Sequence, residues 1–102
     1  MFLMTFPRLA PKEAEVLRLL LANGEMYGLE MVQRSTSLKR GTVYVTLSRM
    51  ADKGYVESRY ETVSPGEGPP RRLYKPTGLG ARTYRALEQA ALLSSQEVAW
   101  GF

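Results

Sequence analysis

A chain of 102 residues with 14 Lys and Arg against 10 Asp and Glu, a net charge of +4, has room for one small domain. It contains neither Cys nor His, which excludes a disulfide framework, the usual thiolate or imidazole metal sites, and the commonest general base and strongest nucleophile of enzymes. Its carboxylates form no paired constellation, so the sequence argues against an enzyme and calls for no metal and no cofactor.

The first six residues, MFLMTF, are apolar but stop at Pro7 and Arg8 with no basic leader, well short of the roughly 20 residues of a membrane span. A soluble, intracellular protein with no membrane partner is expected. Pro11, with Glu13 in the first turn, opens a helix; Val16, Leu17, Leu20 and Leu21 give its apolar rows and Asn23-Gly24 closes it. A second helix is predicted from about Met26 to Arg34, with Leu29, Met31 and Val32 inward, before Ser35-Thr36-Ser37 breaks it. A third runs from Lys39 or Arg40 to Lys53, and Gly54 suits its left-handed exit. The period then changes to two, with Val56, Ser58 and Tyr60 on one side and Glu57, Arg59 and Glu61 on the other. The run 64–70, SPGEGPP, reads as a loop and RRLYK at 71–75 as the returning strand. Thr77 caps a final helix that extends to roughly Val98. The expected fold is mainly α with a small β hairpin: a winged helix-turn-helix with a three-helix core and a two-stranded wing, followed by a C-terminal helix.

Charge is unevenly placed. Residues 34–85 hold 11 Lys or Arg against 4 Asp or Glu, while the rest hold 3 against 6, which fits a face that binds a polyanion. In the third helix Val43, Leu47 and Met50 fall on one side at 100° per residue, so Gly41, Thr42, Val45, Ser48 and Arg49 face away. That face carries no acid until Asp52 and can enter a groove lined by phosphates; the plainer alternative is a helix whose Thr and Ser simply sit at the surface. Tyr44 lies on its flank, with a ring that can pack and a hydroxyl that can reach a phosphate. Lys39 and Arg40 add two cations near the helix start. Arg71, Arg72 and Lys75 flank the Gly/Pro loop, where they either hold phosphates or protect an exposed hairpin edge.

The last helix has a wide apolar arc. Leu79, Ala86, Ala90 and Leu93 form one stripe and Tyr84, Leu87, Ala91 and Val98 a second. The first is expected to close the core, which leaves the second, with Phe2, Leu3, Met4 and Phe6, as the dimerisation surface for another copy of the chain. A single larger core that absorbs both stripes is the competing arrangement.

Three blocks, GEMYGLEMVQRS, RGTVYVTLSRMADKGYVESRY and PPRRLYKPTGLG, occur in the order seen in the PadR family of bacterial transcriptional regulators, which the chain resembles over about residues 15–85. The resemblance implies a cytoplasmic, dimeric repressor of double-stranded DNA. Its winged helix-turn-helix would span 1–76 and its dimerisation helix and tail 77–102. The recognition helix would carry Lys39, Arg40, Gly41, Thr42, Tyr44, Val45, Ser48 and Arg49, and the wing Arg71, Arg72 and Lys75. The chain departs from the family pattern at Lys39-Arg40, where Ser-Pro is usual, at Val45, where Pro is usual, and at Gly78-Leu79-Gly80 after Thr77. Drug-sensing members carry a Trp near the position of Ala91, whereas the single Trp here is Trp100, so a small-molecule effector is not indicated. The competing function is a winged-helix module that binds protein instead of DNA.

Overall fold

Pro11 has no N–H to leave unpaired at a helix start, and the Glu13 carboxylate reaches back to accept the Ala10 N–H at 3.0 Å; together they begin α1, Pro11–Asn23. The computed structural model describes residues 9–61, 66 and 68–100, with side chains as far as residue 93. Gly24, at φ 90°, ends α1 with its N–H on the Leu20 carbonyl at 2.7 Å. Short strand β1, Met26–Tyr27, leads directly into α2, Gly28–Arg34. The remaining elements are α3, Val43–Asp52; β2, Val56–Glu61; β3, Arg71–Pro76; and α4, Gly78–Trp100. The sheet is antiparallel in the order β1-β3-β2, with Met26 opposite Tyr74 and Ser58 opposite Tyr74 from the other side. The chain is therefore a winged helix, mainly α with a β wing, as expected from the sequence.

Two boundaries differ from the expectation. Met26 and Tyr27 do not belong to the second helix: they pair with Leu73 and Tyr74, and Met26 is fully buried under the sheet. Helix α2 begins after Tyr27 because the Glu30 carboxylate accepts the Tyr27 N–H at 2.8 Å, the reciprocal half of a helix-start box. Leu29, expected inside, is exposed on the far side of this short helix. The third helix starts at Val43 and not at Lys39 or Arg40. The Lys39 carbonyl takes the N–H groups of both Thr42 (3.1 Å) and Val43 (2.9 Å), so residues 39–42 close a separate turn.

The core joins Val16, Leu17 and Leu20 of α1 to Met31, Leu38, Val43, Leu47 and Met50 and to Met26, Val56 and Tyr74 of the sheet. Ser35 sets the approach to α3: its Oγ accepts the N–H groups of Ser37 and Leu38 at 3.1 and 3.2 Å and donates to Glu15 at 2.9 Å. This turn drops Leu38 into the core. At the other end, Gly54 (φ 82°) returns the chain from α3, and Thr77 caps α4 by accepting the Gly80 N–H at 3.0 Å. Gly80 packs on the main chain of Tyr55 so closely that a Cβ would stand 2.1 Å from the Tyr55 carbonyl oxygen.

The two stripes of the last helix are also rearranged. Gly80 and Thr83 are its buried positions, and Tyr84 packs against the core with Leu87 half-buried beside it. The stripe of Leu79, Ala86, Ala90 and Leu93 is exposed, so it is not the one that closes the core. This follows from the docking of Gly80 on Tyr55, which turns the 80–83–84–87 face inward. From Glu88 to Leu93 every residue is exposed; six successive residues go more than once round the helix, so α4 here stands clear of the body. Phe2, Leu3, Met4 and Phe6, and the side chain of Val98, lie outside the described residues.

Candidate nucleic-acid interface

Helix α3 buries Val43, Leu47 and Met50 completely. Opposite them Val45, 51% exposed, stands at the middle of the outward face. At 100° per residue Tyr44, Ser48 and Asp52 run down one flank, and Thr46 and Arg49 down the other. Thr42, Gly41, Arg40 and Lys39 are exposed in the turn ahead of the helix and continue its outward surface without being part of it. No acid occurs in the first turn of α3.

The buried carboxylate of Glu13 fixes the helix against α1. One oxygen is held by the Ala10 N–H and the other pairs with Lys53 Nζ at 2.9 Å, just beyond the end of α3. On the wing side a cleft of about 280 Å³ separates α3 from the sheet, lined by Tyr44, Ser48, Asp52, Ser58, Arg72 and Tyr74. The Arg72 guanidinium lies over the ring of Tyr60 at 5.1 Å and near that of Tyr74 at 6.0 Å, contacts that hold a cation without cancelling its charge. It is thereby presented to the cleft beside α3.

These features occur in a chain whose residues 16–86 match the model of the transcriptional regulator PadR-like family. The chain belongs to this family. It is similar in fold to a PadR family transcription regulator from Clostridium difficile R20291 (TM-score 0.72, 23% identity, covering 91% of this chain and 100% of that one). A PadR-like transcription factor from Bacteroides fragilis gives a TM-score of 0.76 at 24% identity over 88% of each chain. A PadR family regulator from Eggerthella lenta gives 0.71 at 23% identity, covering 85% of this chain and 77% of that one. Among curated proteins none matches the sequence.

In this PadR-like regulator the three wing cations named from sequence are separated. By the alternation of β3 Arg72 falls on one face and Arg71 and Lys75 on the other, although Arg71, at the end of the strand next to the loop, still lines the groove that Arg72 and Tyr44 share. Arg71 lies over the Tyr27 ring at 5.5 Å. Lys75 pairs with Glu57 at 3.2 Å at the base of the hairpin, beside a second ion pair between Arg59 and Glu25 at 3.0 Å. The hydrogen bond from Arg59 holds the Glu25 carboxyl below its ordinary value and raises the guanidinium in turn. Tyr27 donates its hydroxyl to Glu61, and this bond raises the phenol above its ordinary value. It ties the end of β2 to the start of α2.

Tyr44, on the flank of α3, packs against α2. Its ring packs over Gly28, where an added Cβ would come 2.7 Å from Cε1, yet the residue remains 47% exposed and lines a groove shared with Tyr27, Leu29 and Arg71. Tyr60, Tyr27 and Gly28 were not singled out from sequence. Tyr60, beside Arg59 in the first strand of the hairpin, gave an available signal; Tyr27 and Gly28 carried none beyond their place in MYGLE. Among the described residues no helix is long and apolar enough to cross a membrane.

Proposed function

We propose that this PadR-like regulator is a repressor that binds duplex DNA as a homodimer, each copy laying α3 in a major groove with its wing on the adjoining backbone. The observation that carries this reading is the outward surface of α3: short, hydroxylic or positive from Lys39 to Arg49, with Arg72 held over the cleft beside it. Lys39, Arg40, Tyr44 and Arg72 would meet phosphates, and Arg71, stacked at the hairpin edge, would join them. Gly41 keeps the approach to the groove low. Val45 would meet a thymine methyl, with Thr42 and Ser48 beside it for base edges.

The dimer reading rests on α4. Leu92 and Leu93 are 58% and 55% exposed on a helical segment, 88–93, in which every residue is exposed, and an isolated helix gains too little from its own hydrogen bonds to persist in water. A second copy would cover this segment, with Ala91 in the same stretch and residues 1–8 available to add to it. Tyr84 and Leu87, half-covered by their own body, would border that contact. Residues 1–76 would then read DNA and 77–102 set the spacing of two half-sites, about one helical turn or 34 Å apart.

Selection of bound fragments from random duplex DNA, with the mass of the free protein measured at micromolar concentration, tests the proposal. A palindromic consensus and a dimer mass are expected. A monomer that retains no duplex, or an interaction with protein that is insensitive to salt, would overturn it.

A further inference from the structure

We infer that the cleft on the α1 side of the recognition helix is a second DNA-phosphate site, formed by Lys12 and Arg49, so that the backbone is held on both flanks of α3. The inference rests on the DNA-binding reading above and extends its footprint to an element outside the helix-turn-helix and wing.

A cleft of about 270 Å³ lies between the first turn of α1 and the flank of α3 that faces away from the wing, lined by Ala10, Pro11, Lys12, Glu13, Thr46 and Arg49. An α-helix with its side chains is roughly 10–12 Å across, close to the ~12 Å width of the major groove. A helix seated there has a phosphate strand along each flank. Arg72 and Tyr44 serve the wing flank; Lys12 and Arg49 are the cations that border the other.

The charges in this cleft are available to a ligand. Lys12 and Arg49 are exposed, and neither joins an ion pair among the described residues. The one acid lining it, Glu13, is buried, with one oxygen on the Ala10 N–H and the other on Lys53, so its charge is already matched. Lys12 also stands in the first turn of α1, at the positive end of the helix dipole, where a cation is unfavourable, and the acid beside it, Glu13, is committed to the Ala10 N–H and Lys53. A cation kept at such a position with no ion pair among the described residues fits a partner outside the chain.

Lys12→Gln in the full chain tests this, with affinity for a selected duplex and for a scrambled one measured across a salt series. Removing one phosphate contact should reduce the slope of log K against log salt by about 0.9 on both duplexes. The melting temperature should stay level or rise, because a cation leaves the helix start. A scan of single methylphosphonate substitutions through the duplex should reveal one position that weakens the wild type and does not weaken Lys12→Gln further.

An unchanged slope, with the variant and the wild type equally sensitive at every methylphosphonate, overturns the site while leaving the DNA-binding reading in place. Dependence on Lys12 for binding poly-glutamate but not duplex overturns it as well. Failure of the wild type to bind any duplex removes both readings together.

Discussion

Gly28→Ala separates the placement of the recognition helix from the stability of the fold. The new methyl would lie 2.7, 3.0 and 3.1 Å from Cε1, Cζ and the hydroxyl oxygen of Tyr44, against an ordinary carbon contact of about 3.5–4.0 Å. The ring must therefore move by nearly 1 Å, and it can do so because it is a half-exposed side-chain tip and not main chain. The stability terms oppose each other: Ala gains up to about 1 kcal/mol over Gly in a helix, and the displaced ring loses part of its packing. A net change within about 1 kcal/mol is expected. Binding behaves differently. A hydrogen bond from the Tyr44 hydroxyl to a charged phosphate is worth about 1.5–3 kcal/mol, and its misplacement should cost at least half, about tenfold in duplex affinity at about 1.4 kcal/mol per decade. The assay is a double-mutant cycle with Tyr44→Ala, reading melting temperature and duplex affinity in all four proteins. In the Tyr44→Ala background Gly28→Ala should have no further effect on affinity. Additive losses would show that Gly28 acts elsewhere, and a loss of stability above 2 kcal/mol with unchanged affinity would refute the argument.

Gly80→Ala should behave in the opposite way, destabilising by about 3 kcal/mol or more, because its methyl would meet the Tyr55 carbonyl at 2.1 Å and the main chain has to shift; urea unfolding reads this directly, and a cost below 1 kcal/mol would contradict the close docking of α4. Arg72→Ala should lower the salt slope of duplex binding by about 0.9, whereas Lys75→Ala, paired with Glu57 on the other sheet face, should leave it unchanged. Glu25→Gln should lower the melting temperature at neutral pH and not in acid. The folded carboxyl titrates below the ordinary 4.5 because of Arg59, so its contribution is present above 4.5 and is lost as pH falls through the lowered folded value. A wild-type-to-variant difference that persisted at pH 2 would rule this out.

The helix periods and the glycine stops were enough to lay out the winged helix, because α1, α3 and the hairpin each carry their own signal over several residues. What was hidden depended on contacts between segments distant in sequence. Met26-Tyr27 looks helical in isolation, since Leu29, Met31 and Val32 follow it; its pairing with Leu73 and Tyr74 is decided almost fifty residues later. The start of α3 was misplaced because Lys39 and Arg40 are good helix formers, while the turn that displaces them is made by main-chain bonds to the Lys39 carbonyl. Gly78 and Gly80 read alike as weaknesses in the last helix. Only Gly80 has a main chain against it, and that contact decided which apolar stripe faces inward.

The site was legible to the same depth. The outward set of α3 followed from three buried positions, Val43, Leu47 and Met50, and needed nothing beyond the helix itself. The wing needed the register of β3, in which a one-residue step reverses the face; hence Arg71, Arg72 and Lys75, grouped by sequence, are divided between two sides. This division bears on how the proposed reader would work. Its outward face offers Val45 and two short hydroxyls at Thr42 and Ser48, with Arg49 on the flank that borders the α1 cleft, so few groups can reach base edges. The cations stand instead in the turn before α3 and on its two flanks. Duplex affinity built this way would come chiefly from phosphate contacts and weaken steeply with salt, while discrimination between sequences would rest on two or three contacts worth about 1–3 kcal/mol each. A second copy joined through α4 doubles that discrimination without adding a contact type, which is the physical reason a face so sparing in base-reading groups calls for a dimer.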